Sequence, residues 1–331
     1  MKTLALAFAL LLAGAANAQP AKLSFRLNWT ASGEHAPFFV ARDKGFYAEE
    51  GLDVEIMDGS GSTTTLQLAA NAKNPIGYAD AASVMRGIAN GMPVKAVGVP
   101  LQQSPHAFIY RADKPRPTKI AEIKGSRIAV TAGDSSLPVL TALLGKVGLK
   151  MEDIQLITVS NTAAKDQAML SGQADALMGF FIDQGVRLEP ATGVKVGWTR
   201  LAEMAGVSTL SSAIVVNTDW VKDAANQDQL RRFLRASQRG WQYAADNLNE
   251  SAEIFSRAKP GIPAPVARGT LQGAVAISRT ERTKSRPAIW SATEDWADTQ
   301  ALLVQYANLK GQGDVNAYFT NAYLSEAPYR K

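Results

Sequence analysis

The sequence predicts an α/β protein built as two similar lobes over a central cleft. Three observations carry that expectation. The stretch from Leu27 to Asp58 reads as a strand end, a polar loop, a helix, a tight turn and a second strand, which is a βαβ start. From Ile120 the same plan begins again, so that both halves run strand, small-polar loop, helix, strand, helix, strand. The third is size and composition: 331 residues, 46% apolar and 20% charged, form an ordinary globular mixture. That length is enough for two domains of about 100–200 residues each. Two such layers facing each other leave a groove suited to a small ligand.

The elements follow in chain order. Lys2 precedes an apolar run from Leu4 to Ala13, and Ala16-Asn17-Ala18 comes next. These are the charged region, apolar region and cleavage site of a secretory signal, with cleavage expected after Ala18. The run falls short of the roughly 20 apolar residues that a spanning helix needs. No Cys follows it, so no lipid anchor is expected there. Residues 19–110 form the first part of lobe one. Phe25, Leu27 and Trp29 alternate with polar neighbours as in a strand, Pro37 suits a first helical turn, and Gly45 and Gly51 supply tight turns before Val54 and Ile56. Gly59 to Thr65 is a glycine and hydroxyl loop, with a helix expected from about Leu66 to Asn71. Ile76 to Ala79 is a strand, Asp80 caps a helix to Ala89, and Val94 to Val99 is the next strand. Phe108 to Tyr110 is expected to leave the lobe, and Lys114-Pro115-Arg116-Pro117 is a stiff boundary.

Residues 111–212 are expected to form lobe two. Ile128 to Val130 is a strand, and Gly133 to Ser136 leads into a helix with Leu137, Leu140, Leu143 and Leu144 at helical spacing. Ile154 to Val159, Ala163 to Leu170, Ala176 to Gly179 and Val194 to Trp198 continue as strand, helix, strand and strand. Residues 213–331 return to lobe one through the β-prone run Ala213 to Val216 and then wrap it in helices, the first spanning Asn226 to Asn247. The hinge is expected on the strands near Phe108–Tyr110 and Ala213–Val216.

Several chemistries find no residues here. The chain has no cysteine, which excludes disulfides and thiolate metal sites. The two histidines, His35 and His106, are too far apart in sequence to read as a metal pair, and no G-x-S-x-G elbow occurs. The net charge is +5, but its basic clusters are scattered and no aromatic residues interleave with them, so nucleic acid is not an expected partner. The Gly59 to Thr65 loop lacks the lysine of a P-loop. No metal and no cofactor are expected.

Ligands of open α/β sheets bind beyond the carboxyl ends of the strands. The candidate binding residues follow from that rule. Trp29 and Phe180 would stack on a flat ring from the two lobes. His35 would donate to an anion or a ring nitrogen. Ser60, Ser62, Thr63 and Thr64 would hold an oxyanion at a helix mouth, and Ser135 and Ser136 would offer donors from lobe two. Tyr78 and Asp80 flank the third strand end, and Asp183 would accept from an amino group. For each, a core or capping role is the competing reading. An aromatic sandwich with polar groups at its rim holds a planar heterocycle.

The same residues carry a family resemblance. Asn28-Trp29 at a strand end, His35 six residues after the Trp, and then Lys44-Gly45-Phe46-Tyr47 and Gly51-Leu52-Asp53-Val54 resemble one family of solute-binding proteins. That family serves ABC importers of thiamine-pyrimidine precursors, sulfonates, nitrate and taurine. The resemblance continues loosely through Gly77–Asp80, Gly91–Val94 and Ala174–Gly179 and covers most of residues 23–245. It implies the type II periplasmic-binding-protein fold, two α/β lobes joined by a two-strand hinge, and a periplasmic protein that closes on a solute and delivers it to an ABC permease. A thiamine-pyrimidine-like ring is the expected solute, with a sulfonate, nitrate or taurine-type anion as the alternative. A sensory module that binds a solute but feeds no permease is a further possibility.

A second branch resembles the fungal pyrimidine synthase of thiamine biosynthesis. That enzyme holds pyridoxal phosphate on a lysine, consumes a histidine four residues later, and has a cysteine-rich iron motif. The matching positions here are Ala79, Ser83 and Ala205 to Ser212, and none has the required side chain. On that comparison the chain is expected not to be an enzyme. The family's pyrimidine-binding carboxylate would fall near Phe180 to Gln184, where Asp183 is the acid present.

Overall fold

The computed structural model describes residues 19–327 apart from Gly133, Ser135, Val207 and Gln312. The expected signal segment 1–18 and the candidate Ser135 lie outside the described residues. Lobe one begins with β1 (Ala21–Arg26), α1 (Ala36–Asp43), α2 (Phe46–Glu49), β2 (Leu52–Met57), α3 (Ser62–Ala70), β3 (Ile76–Asp80), α4 (Ala81–Ala89) and β4 (Val94–Gly98). Lobe two holds β5 (His106–Arg111), β6 (Arg127–Thr131), α5 (Ser136–Lys146), β7 (Gln155–Val159), α6 (Thr162–Leu170), β8 (Ala176–Phe180), α7 (Gln184–Thr192), β9 (Val196–Arg200) and α8 (Leu201–Ala205). The chain then returns as β10 (Ser212–Asn217), α9 (Ala224–Asp246), α10 (Leu248–Ala258), α11 (Ala264–Ala276) and α12 (Thr293–Tyr306).

The two sheets share one strand plan. Lobe one runs β2-β1-β3-β10-β4 and lobe two runs β7-β6-β8-β5-β9. In each, the fourth strand in spatial order is antiparallel to both neighbours, and the pairings β1–β2, β1–β3, β6–β7 and β6–β8 are parallel. The antiparallel strand is the one that arrives from the other lobe. This is the periplasmic-binding-protein arrangement that the sequence implies.

The crossing points differ from the expectation. β5 lies inside the lobe-two sheet between β8 and β9, and β10 lies inside the lobe-one sheet between β3 and β4. The chain therefore crosses between the sheets just before each of these strands. There the two passages of chain bond to each other, with Leu101 N–H donating to the Ser212 carbonyl at 3.3 Å and Ser211 N–H donating to the Leu101 carbonyl at 3.1 Å. A strand laddered on both sides cannot flex without breaking its sheet, whereas a short bonded pair between sheets can.

Aromatic residues fill lobe one. Phe25 meets Phe38 with ring centroids 4.8 Å apart and Phe233 at 5.1 Å, and Phe38 meets Trp241 at 6.2 Å. Burying each such ring contributes roughly 1.5–3 kcal/mol. These contacts explain why α9 lies on α1: Leu230, Phe233, Leu234, Trp241 and Ala244 recur on one side of it and are all buried. Gly240 in α9 has the Pro37 carbonyl 2.4 Å from where a Cβ would stand, so the two helices approach as closely as they do only because that residue is glycine. A second apolar cluster runs across both lobes and takes in Val84, Phe108, Leu140 and Trp296. Among the described residues no helix is long and apolar enough to cross a membrane.

Candidate functional site

The cleft between the lobes is lined by loops at the carboxyl ends of β1, β6 and β8 and by the opening turns of α3, α6 and α7. It encloses about 530 Å³ of empty space, part of it open to solvent. From lobe one it receives Asn28, Trp29, Thr30, Ser32, Glu34, Gly61 and Ser62. From lobe two come Asp134, Lys165, Gly179, Phe180, Asp183 and Gln184.

Trp29 stands at the end of the strand-to-loop transition and is partly exposed. Its indole Nε1–H donates to the Thr162 hydroxyl across the cleft at 2.7 Å. The Lys165 ammonium lies 6.0 Å from its ring centroid. One lobe-one side chain thus touches the first turn of a lobe-two helix, and the structure is that of lobes drawn together. Phe180 faces the same space at the end of β8, with His106 edge-on to it at 5.0 Å.

The loop after Trp29 is held by its own side chains. Ser32 N–H donates to His35 Nδ1 at 3.0 Å, which leaves the proton on Nε2 to donate to Asn28 Oδ1 at 2.8 Å. Burial pushes the His35 imidazole down to about 3, so it stays neutral. α11 closes over this loop. A Cβ on Gly33 would meet the Thr270 hydroxyl at 1.7 Å, so only glycine fits there.

Glu34 is pinned beneath that contact. Its residue is 3% exposed, and its Oε2 has no hydrogen-bond partner among the described residues. Its Oε1 lies 3.4 Å from His35 Nε2. Burial, and then the nearby Asp183 and Asp80 carboxylates, push the Glu34 carboxyl up to about 8. At neutral pH it is mostly an un-ionised acid that can donate one hydrogen bond and accept others.

The lobe-two acids are already matched. Lys165 Nζ lies 3.0 Å from Asp134 Oδ2, and Asp134 Oδ1 accepts from the Ser136 hydroxyl at 2.6 Å. Burial pushes the Asp134 carboxyl up, but Lys165 and Ser136 outweigh it and hold it below the usual carboxylate range. Asp183 accepts from Arg187 Nε at 3.2 Å, and Arg187 Nη1 reaches Asp166 at 2.8 Å. Gln184 Oε1 accepts from Phe180 N–H at 2.9 Å and fixes the end of β8.

Of the candidates read from the sequence, the cleft brings together Trp29, Ser62, Phe180 and Asp183. His35 is wholly buried inside its own loop and does not line the cleft, because Ser32 and Asn28 take both ring nitrogens. Ser60, Thr63 and Thr64 are exposed outside the lining, because α3 starts at Ser62 and its next residues turn outward. Tyr78 is wholly buried among Phe25, Phe38 and His35. Asp80 is wholly buried as the cap of α4, accepting from Ala82 N–H at 3.0 Å. Ser136 is buried and serves Asp134. Glu34, Asp134, Lys165 and Gln184 line the cleft without having been singled out. Their sequence signal is weak: a lone acid in a Ser-Gly-Glu-His loop and charged residues near helix starts look like ordinary surface.

No group of three or more His, Cys, Asp or Glu able to hold a metal ion occurs among the described residues. The strand position that the fungal enzyme's lysine would occupy is Ala79, which is wholly buried and has no amine. The residues therefore do not fit a pyridoxal phosphate held on that position.

Comparison with known proteins adds four findings. The family described as NMT1/THI5 like matches residues 32–251. A 4-amino-5-hydroxymethyl-2-methylpyrimidine phosphate synthase from Uromyces fabae is 27% identical over 75% of this chain and 74% of its own. The riboflavin-binding protein RibY of Chloroflexus aurantiacus is 26% identical over 96% of this chain and 90% of its own. In structure, the alkanesulfonate-binding protein SsuA from Xanthomonas axonopodis pv. citri, bound to MOPS, superposes with a TM-score of 0.68 at 18% identity, covering 94% of this chain and all of that one. These findings correct one expectation. The chain was expected not to be an enzyme, yet curated relatives across most of its length carry an enzyme's name.

Proposed function

The chain belongs to the NMT1/THI5-like family, and we propose that it is an exported solute-binding protein that closes its two lobes on a small planar nitrogen heterocycle and hands it to an ABC permease. The observation that carries this reading is the meeting of Trp29 with Thr162 and Lys165 across the cleft, with Phe180 facing the same space. A ligand between the lobes gains contacts with both only when they are shut, so it shifts the population toward the closed form by that difference. A flat ring suits the aromatic walls. The α3 helix opens at Gly61 and Ser62 without a side-chain cap, so its first-turn N–H groups offer donors to a hydroxyl or carbonyl on the ring.

Relatives support the ring over an anion. The two curated relatives described above are named for a pyrimidine and for riboflavin, both flat nitrogen heterocycles. The only cation lining the cleft, Lys165, already faces Asp134. A sulfonate or nitrate would find no unmatched positive charge among the described lining residues.

The synthase-named relatives favour a second reading, in which the cleft also carries out chemistry on its guest. One experiment addresses both. The mature chain is titrated with pyrimidines, flavins, sulfonates and nitrate, and each mixture is checked for new products. Saturable binding of a flat heterocycle is the expected result. Binding confined to anions overturns the ring reading, and a released pyrimidine product replaces the importer reading with the synthase one.

A further inference from the structure

Among the described residues lining the cleft, one buried polar atom has no hydrogen-bond partner. Asp134 is met by Lys165 and Ser136, and Asp183 by Arg187. The Asn28 carbonyl is occupied by His35, and the Gln184 carbonyl by Phe180 N–H. Glu34 Oε2 alone among these is buried, lines the cleft and touches no donor. Leaving such a group unmatched costs about 1–3 kcal/mol, and more when it is charged. That cost falls on the empty protein and is relieved by any guest that supplies a donor.

We propose that Glu34 is the specificity-determining residue of this cleft: it selects a ligand whose polar edge pairs an N–H donor with an acceptor, over ligands whose edge offers no donor. The inference rests on the ring-binding reading above and adds which edge of the ring is recognised and by which side chain. The position is built for this. The loop that holds Glu34 is locked by the Ser32–His35–Asn28 bonds on one side and by Thr270 over Gly33 on the other, so the carboxyl cannot swing out to water. A fixed, water-poor acceptor discriminates strongly, because a guest lacking the donor leaves it unpaired.

Its protonation state suits the role. Burial and the flanking Asp183 and Asp80 keep the carboxyl un-ionised at neutral pH, with one O–H and one free acceptor oxygen. An amino group beside a ring nitrogen presents the complementary pair: N–H toward the carbonyl oxygen, nitrogen lone pair toward the O–H. A protonated ring would take the same place as an ion pair with the carboxylate. An anion would face Glu34, Asp183 and Asp134 with only the engaged Lys165 in its favour.

The test is calorimetric titration of the mature chain with three probes: 4-amino-2-methylpyrimidine, 2-methylpyrimidine, which lacks the amino group, and ethanesulfonate. The wild type, Glu34→Gln, Glu34→Ala and Trp29→Ala are compared, each after a thermal melt shows that it folds. The amino compound is expected to bind the wild type at least ten times more tightly than its des-amino analogue. Glu34→Ala should lose most of that preference and Glu34→Gln should keep most of it, because an amide presents the same acceptor and donor as the un-ionised acid, whereas Trp29→Ala should weaken both rings alike. If both rings bind and the preference survives in Glu34→Ala, the assignment of Glu34 is wrong while ring binding stands. If neither ring binds the wild type, or ethanesulfonate binds more tightly than both, the ring-binding reading itself falls and takes this one with it.

Discussion

Two side chains set the behaviour of the cleft, and each makes a separate prediction. Trp29 spans the lobes, so Trp29→Ala should weaken binding of a ring ligand by ten-fold or more, about 1.4 kcal/mol, with little change in the melting point. Its indole is partly exposed and its one bond reaches the other lobe, which is why folding does not depend on it. Calorimetry beside a thermal melt checks both halves. Glu34 governs a pH dependence. Its carboxyl sits at about 8 in the fold against 4.5 when exposed, so the folded state keeps a proton that the unfolded chain has released across that window. Stability from this group is full below the unfolded value and is lost as pH rises toward 8. Glu34→Gln should therefore melt higher than wild type at pH 8.5 and equally at pH 4; a variant that melts lower at both contradicts the assignment. His35 acts in the opposite direction. Its imidazole lies at about 3 against 6.5 when exposed, so its stability is present above 6.5 and is lost as pH falls toward 3. Trp29 and Phe180 were legible in the sequence because an aromatic residue at a strand end has few other uses. Glu34 was not, because the helix that packs on its loop, α11, lies far along the chain.

At the level of elements, α11 touches both lobes. It lies over the Glu34 loop in lobe one and against α7 in lobe two. There Gly273 has the Ile182 side chain 2.7 Å from where a Cβ would stand, and Gly269 has Val186 at 2.8 Å. Gly273→Val would push α7 and α11 apart and hold the lobes short of contact. The expected result is a folded protein with weaker ligand affinity and a larger radius of gyration in the presence of ligand; unchanged affinity would show that the helices do not meet during closure. Asp80 belongs to α4 rather than to the ligand. Asp80→Ala should cost about 1 kcal/mol of stability through the lost cap, and Asp80→Asn much less, since an amide oxygen still caps. Both should leave ring binding unchanged. The repeated strand and helix plan was legible because each strand is a short apolar run and each helix has its own period. The start of α3 was placed late, at Leu66, because its first turn is made of hydroxyl residues that read as loop. That β5 and β10 lie inside the sheets was not legible, because strand propensity does not reveal which sheet a strand joins.

For the whole molecule, the central claim is that a flat heterocycle draws the two lobes together. The sheets are separate, the crossing segments bond to each other near Leu101 and Ser211, and the cleft walls carry groups from both lobes. The apolar cluster running through both lobes limits how far they can part, so the motion is expected to be a rotation about that cluster. The bilobal plan was legible from the repeat of one pattern in two halves. The depth of the contact between the halves was not, since it is made by α12 and α11 from the end of the chain, where the sequence pattern was weakest. Because the natural chain has no cysteine, two introduced ones are the only labelling sites. Dyes placed through Asp53→Cys on the outer strand of lobe one and Gln155→Cys on the outer strand of lobe two report the separation directly. Energy transfer between them should change saturably on adding 4-amino-2-methylpyrimidine, and the change should vanish in Trp29→Ala. Transfer that stays constant while calorimetry records binding would contradict closure of the lobes on the ring.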